Sequence, residues 1–339
     1  MTQVPLLPRE SGEFIVKNAQ YIKIKPEGIE NLTKEIIKGI QEKRIDVNNF
    51  SQHDLHPKPT DDFALEWIFV VDTLNFCFWT PADYTKYKVM GHTGYFALCA
   101  ALNRAMKEGL DITNAEYYSK ITLETVKHIF RSDDGETMVP LLEKRLQCFH
   151  EVGNRLLEKW QGKFENVVKA AEGSALNLLK LIVQEFPCFR DEADFCGQRV
   201  SIYKRAQILV GDVWACFRGE GMGSFKDLYH ITMFADYRVP QVLVHFGSLE
   251  YNEELAKVLK SDQLLKNGDP MEVEIRGASI YIVEQVKDKV LQELKEKHPA
   301  VSKDHVNSIL IDHFLWDYRR QHASELEYIP FHKVLSVYY

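Results

Sequence analysis

Apolar positions recur every three to four residues over most of this chain, the period of helices with one buried face. Ile29, Leu32, Ile36, Ile37 and Ile40 form such a stripe, with Lys and Glu on the other side. Residues 95–108 are predicted helical, closed by Gly109. Pro140 is expected to open a long helix whose inward stripe is Leu142, Leu146, Phe149, Leu156 and Trp160. SALNLLKLIVQEF repeats the pattern and stops at Pro187. EELAKVLK, EVEIRGASIYIVEQVKDKVLQELKEK and VNSILIDHFLWDYRRQH carry it on to an apolar tail, YIPFHKVLSVYY. Ser11, Thr113 and Thr122 are expected to start shorter helices. Strand-like pieces are few, at residues 21–24 and 88–90, and do not alternate with helices, which disfavours a doubly wound parallel sheet. The expected architecture is one mainly α domain over residues 1–339, with at most a small β element.

Three stretches depart from the simple period. Residues 47–62, VNNFSQHDLHPKPTDD, are polar and proline-broken, a loop long enough to be a lid or a pocket wall. FALEWIFVVDTLNFCFW is the densest apolar and aromatic run, and it holds Asp72 and Asn75. A carboxylate there must be satisfied, as a helix cap or by pairing with a base. Residues 200–250 read as a helix, a glycine turn (GEGMG), a connection bearing the lone carboxylate of Asp236, and a second helix near Pro240.

Charge and composition narrow the function. The formal net charge is −7, which argues against a protein that grips many phosphates of a duplex. The six cysteines form no CxxC pair and sit mostly among apolar residues, the pattern of buried thiols in a reducing compartment. The first residues show no basic stretch followed by an apolar core, so no secretory signal is expected, and no apolar run is long enough to span a membrane. These features predict a soluble, cytoplasmic protein, with nuclear presence left open.

The common catalytic motifs, GxGxxG, GxxxxGK[ST], HExxH and GxSxG, are missing. His53 and His56 would need ligands from elsewhere to hold a metal, and no metal site is expected. Asp236, between Phe234–Ala235 and Tyr237, has two readings. It is a helix cap, or it is a fixed carboxylate suited to breaking an N-glycosidic bond. Positive charge grows on the sugar in that transition state, and a carboxylate beside the anomeric carbon stabilises it, traps it or orients water. Pro240 suits a first helical turn, which would put the cap at Val239 and leave Asp236 upstream. Asp312 and Trp316 are four apart and share a helix face. That face could hold a polar heteroaromatic or a cationic amine, or be an ordinary amphipathic surface.

YKRAQILVGDVW, SFKDLYHITMFADYRVPQVL, FVVDTLNFCFW, EVEIRG and SILIDHFLWDY, with LPRES near the start, together resemble the queuosine 5′-phosphate N-glycosylase/hydrolase family over essentially the whole chain. The resemblance implies a fold similar to helix–hairpin–helix DNA glycosylases, with the core at about residues 200–250. It implies hydrolysis of queuosine 5′-monophosphate to queuine and ribose 5-phosphate, so that queuine is salvaged for tRNA modification. It implies neither a metal nor an organic cofactor, and a small-molecule nucleotide as partner rather than a stable nucleic-acid complex or a membrane. The catalytic carboxylate carries over to Asp236, and the base pocket to His53, Phe234, Ala235, Asp312, Trp316 and Asp317. Charge and proximity in sequence place the 5′-phosphate on Tyr203, Lys204 or Arg238. Two other readings make distinct predictions. A DNA base-excision glycosylase would bind duplex with steep salt dependence. A non-catalytic nucleoside- or queuine-binding protein would be stabilised by ligand without forming product.

Overall fold

Proline at the first turn starts both opening helices, Pro8–Lys17 and Pro26–Gln41, where its fixed φ suits the helix and its missing N–H costs nothing. The protein, seen as a computed structural model, is described over residues 4–81, 83–297 and 306–339. Ser11 does not cap the first helix as expected. Pro8 starts the helix three residues earlier, and Ser11 Oγ donates instead to the Leu6 carbonyl at 3.0 Å. Thr122 does cap helix Leu123–Ile129, accepting the Thr125 N–H at 3.2 Å. The expected cap at Thr113 falls to its neighbour Asn114, which accepts the Glu116 N–H at 3.0 Å. The long helix begins at Leu142, not Pro140, because Leu141 takes a left-handed φ of 54°. Residues 47–62 are not all loop, since Asn48–Gln52 is a short helix.

The structure is mainly helical, with sixteen α-helices among the described residues. Three two-stranded antiparallel sheets accompany them. Ile22–Ile24 pairs with Leu249–Tyr251, Lys88–Val89 with His92–Thr93, and Glu192–Phe195 with Gln198–Ser201. Strands Ile22–Ile24 and Lys88–Val89 lie where short strands were expected; their partners and the last sheet were not foreseen. No helix among the described residues is long and apolar enough to cross a membrane.

Contacts group the chain into two compact units, neither of which is one continuous stretch. The first gathers the described residues of Met1–Val47, Asp191–Gln207 and Tyr229–Leu335; the second gathers Asn48–Arg190, Ile208–Leu228 and Ser336–Tyr339. In the first unit, helix Pro270–Lys297 is the axis. Helices Pro8–Lys17, Pro26–Gln41, Val239–His245 and Ser308–Gln321 all pack on it. The first of these comes very close: a Cβ on Gly277 would lie 2.6 Å from Ile15, so only glycine fits there. In the second unit, helix Ala64–Leu74 is buried along its whole length. Helices Tyr95–Lys107, Leu142–Lys159 and Phe164–Ala170 pack around it. Glu66 on the buried helix accepts the N–H groups of Phe164 and Glu165, each at 3.1 Å, and so anchors the start of helix Phe164–Ala170.

Candidate active site

The carboxylate of Asp236 lies in an irregular segment, residues 231–238, that joins a 3-10 turn at Leu228–His230 to helix Val239–His245. A buried segment outside a helix or sheet must find partners for its own backbone. Here side chains from three other elements supply them. Gln207 Oε1 accepts the Thr232 N–H at 2.8 Å. Asp312 Oδ1, on helix Ser308–Gln321, accepts the Phe234 N–H at 2.9 Å. Arg276 Nε, on helix Pro270–Lys297, donates to the Ala235 carbonyl at 3.0 Å. Asp236 completes the set through Oδ1, which accepts the N–H groups of Arg238 (2.8 Å) and Val239 (2.7 Å).

Asp236 therefore does meet the start of the following helix, although Pro240 suggested that it stood too far upstream. The two readings of this residue coexist, because they use different oxygens. Oδ1 is held by two N–H donors, whereas Oδ2 has no hydrogen-bond partner among the described residues. Asp236 is only 8% exposed. A carboxylate immobilised through one oxygen, with the other open, is already oriented for a ligand or a water.

Asp312 is the second acidic group. Burial pushes its carboxyl well above the usual carboxylate range, and the negative charge of Asp236 pushes the same way. The Phe234 N–H and the charge of Lys204 oppose this without cancelling it. Burial and the Asp236 charge both favour the protonated form of Asp312 over the ionised one. Its neighbour His313 has a ring 6.1 Å from that of Phe234, and burial lowers its pKa to about 4, so it is uncharged at neutral pH.

Of the ten residues singled out in the sequence, nine fall in the first unit: Tyr203, Lys204, Phe234, Ala235, Asp236, Arg238, Asp312, Trp316 and Asp317. Their situations differ. Phe234, Asp236, Asp312 and Lys204 are bonded to or feel one another directly. Tyr203 is buried with a left-handed φ of 49°, and its hydroxyl donates to Glu192 at 2.6 Å, so it serves as a strut. Arg238 is half-buried, lies 4.0 Å over the Phe331 ring, and donates to Gln241 at 3.2 Å. Trp316 carries the Arg320 guanidinium 4.8 Å over its ring, while Asp317 is exposed one residue along. His53 belongs to the second unit. There its ring stacks on Phe96 at 4.1 Å, and its Nδ1 accepts the Leu55 N–H at 3.2 Å.

The residues that brace the site were not among those singled out in the sequence. Arg276 is 2% exposed and forms a two-pronged ion pair with Asp191 (2.6 and 2.9 Å), with a further bond to Glu272 at 2.9 Å. Gln241 accepts from Arg319 at 2.8 Å and donates to the carbonyls of Leu326 and Ile329. A signal existed for both: an arginine among Val273, Ile275 and Ala278, and a glutamine between Val239 and Val242, must find polar partners inside.

A family model described as queuosine salvage protein matches residues 55–339. A mouse protein (Mus musculus) named queuosine 5′-phosphate N-glycosylase/hydrolase is 45% identical over 339 residues, covering 99% of each chain. Proteins of the same name from Schizosaccharomyces pombe (36% identical, 97% of this chain and 99% of the relative) and Sphaerobacter thermophilus (37%, 84% of each) are also similar. The chain belongs to the queuosine salvage protein family.

Proposed function

We propose that this member of the family hydrolyses the N-glycosidic bond of queuosine 5′-phosphate, releasing queuine and ribose 5-phosphate, and that Asp236 and Asp312 divide the chemistry between them. The observation that carries the assignment is the difference between the two carboxyls: one held by two N–H groups with its other oxygen open, the other pushed towards its protonated form by burial and by its neighbour's charge. Two nearby carboxyls in unlike environments can take unlike roles, one as a fixed charge and the other as a proton donor.

As the C–N bond stretches, its electron pair leaves with the base and positive charge builds on the ribose. Asp236 Oδ2 faces that charge, in a site where burial limits screening by water. Asp312 gives its proton to the departing base. Water then adds to the anomeric carbon, and its released proton restores Asp312, so one water is consumed and no charge is left over. Phe234, Trp316 and Asp317 are assigned to the base. Among the cations, Arg238 and Lys204 are assigned to the phosphate; Tyr203, with its hydroxyl engaged by Glu192, braces them.

The test is queuine release from the nucleotide by the wild type and by Asp236→Asn. Asparagine keeps an oxygen for the Arg238 and Val239 N–H groups but removes the negative charge. A loss of about 10³-fold in kcat is expected. A loss below about tenfold, or roughly 1.4 kcal/mol of barrier, would show that Asp236 has another role.

A further inference from the structure

The bracing of the site contains one group whose arrangement is more than packing. Arg276 uses three nitrogens: Nε on the Ala235 carbonyl, Nη2 and Nη1 on the two oxygens of Asp191, and Nη1 also on Glu272. Ala235 is the residue immediately before Asp236. Asp191 in turn accepts the backbone N–H of Lys204 at 3.0 Å, and its own carbonyl accepts the N–H groups of Ile202 and Tyr203 at 3.0 and 3.3 Å. One unbroken chain of hydrogen bonds therefore runs from the Asp236 segment, through Arg276 and Asp191, to the turn that presents Lys204. Lys204 is close enough to that segment for its charge to act on Asp312.

A buried ion pair is a poor way to stabilise a core, because removing both charges from water costs about as much as their attraction returns. What a two-pronged guanidinium–carboxylate pair supplies is fixed geometry. We propose that Arg276 is a positioning residue: through Ala235 and Asp191 it sets the spacing between the Asp236 carboxylate and the Lys204 turn, and so the alignment of the reacting bond with the group that anchors the substrate. This rests on Asp236 being the reacting carboxylate. Small losses of alignment are costly in rate, because the reacting atoms must be held close to their transition-state geometry.

The test uses the full-length chain and four variants, assayed for queuine release and for thermal midpoint. Arg276→Lys keeps the charge but lacks the planar fork, and it cannot serve Ala235 and both Asp191 oxygens together. Its kcat is expected to fall at least about tenfold with KM changed less than about threefold. Glu272→Gln loosens only the partner that leads to neither Asp236 nor Lys204. It is expected to lower the thermal midpoint while keeping kcat within about twofold. In an Asp236→Asn background, Arg276→Lys is expected to add almost nothing, since a positioning residue has little to act on once the carboxylate is gone. A normal kcat in Arg276→Lys, an equal fractional loss in the Asp236→Asn background, or a kcat defect in Glu272→Gln as large as that of Arg276→Lys would each overturn the proposal. Should Arg276→Lys fail to fold, Asp191→Asn replaces it. That change turns one acceptor facing Arg276 into a donor, and an unchanged kcat in it likewise overturns the proposal. Full activity of Asp236→Asn by itself would refute the choice of carboxylate, an outcome separate from all of these.

Discussion

Two buried arginines hold irregular backbone in this molecule, and they do so differently. In the second unit, Arg145 is fully buried and donates to the carbonyls of Leu74, Phe76, Cys77 and Pro140. Its guanidinium also lies 4.4 Å over the Phe76 ring and 5.2 Å over that of Phe78. It ties down the segment that leaves helix Ala64–Leu74, and carbonyls and aromatic faces share its charge. In the first unit, Arg276 meets the Ala235 carbonyl and the carboxylates of Asp191 and Glu272, and that carbonyl adjoins a carboxylate with an open oxygen. The first arrangement completes a core. The second is the one proposed to place a reacting group. Burial alone does not separate a functional arginine from a structural one; the identity of the groups at the far end of its bonds does.

That contrast can be broken by experiment. Arg145→Met should be the most damaging to folding, since several buried carbonyls lose their donor at once. A loss of about 3 kcal/mol is expected in urea unfolding, with kcat per folded molecule unchanged; a kinetic defect in the folded fraction would erase the distinction. Asp312→Asn sharpens the other side. Because burial and the charge of Asp236 raise the Asp312 carboxyl, its protonated form persists to higher pH than that of an ordinary carboxylate, and activity should fall as pH rises through that raised value. The substitution should lower kcat roughly 10²-fold and abolish this alkaline limb. The same sign governs stability: a raised folded-state value means that the contribution of Asp312 is present at low pH and is lost as pH rises through it. Denaturant midpoints across pH should therefore decline less on the alkaline side for Asp312→Asn than for the wild type. The smallest effect expected is that of Arg238→Ala, a roughly tenfold loss in kcat/KM for the nucleotide with little change for the nucleoside. An equal loss for both substrates would remove Arg238 from the phosphate and leave it as a brace between Phe331 and Gln241.

Much of this was legible in the sequence wherever one residue type decides the local outcome. The stripe from Ile29 to Ile40 gives helix Pro26–Gln41, and prolines mark several starts. The hairpin Glu192–Phe195/Gln198–Ser201 was not legible, because four-residue strands carrying Glu, Asp, Gln and Arg show too little apolar alternation. Ser11 misled because Pro8 already supplied a start and left the serine hydroxyl to the Leu6 carbonyl. Within the site, Asp236 stood out as a lone carboxylate in apolar company, but the division of labour between its two oxygens depends on where the Arg238 and Val239 N–H groups point. Asp191 and Arg276 are 85 residues apart, so no local pattern could join them.

The discontinuity of the two units has a consequence for the newly made chain. Residues 48–190 supply most of the second unit in one run, and can begin packing as they leave the ribosome. The first unit must wait. Strand Ile22–Ile24 is synthesised early, yet its partner Leu249–Tyr251 comes more than two hundred residues later. When the Asp236 segment emerges, neither Arg276 nor Asp312 has yet left the ribosome. During synthesis strand Ile22–Ile24 waits long for its partner, and the carboxylate pair comes together only once Asp312 has followed Asp236 out of the ribosome.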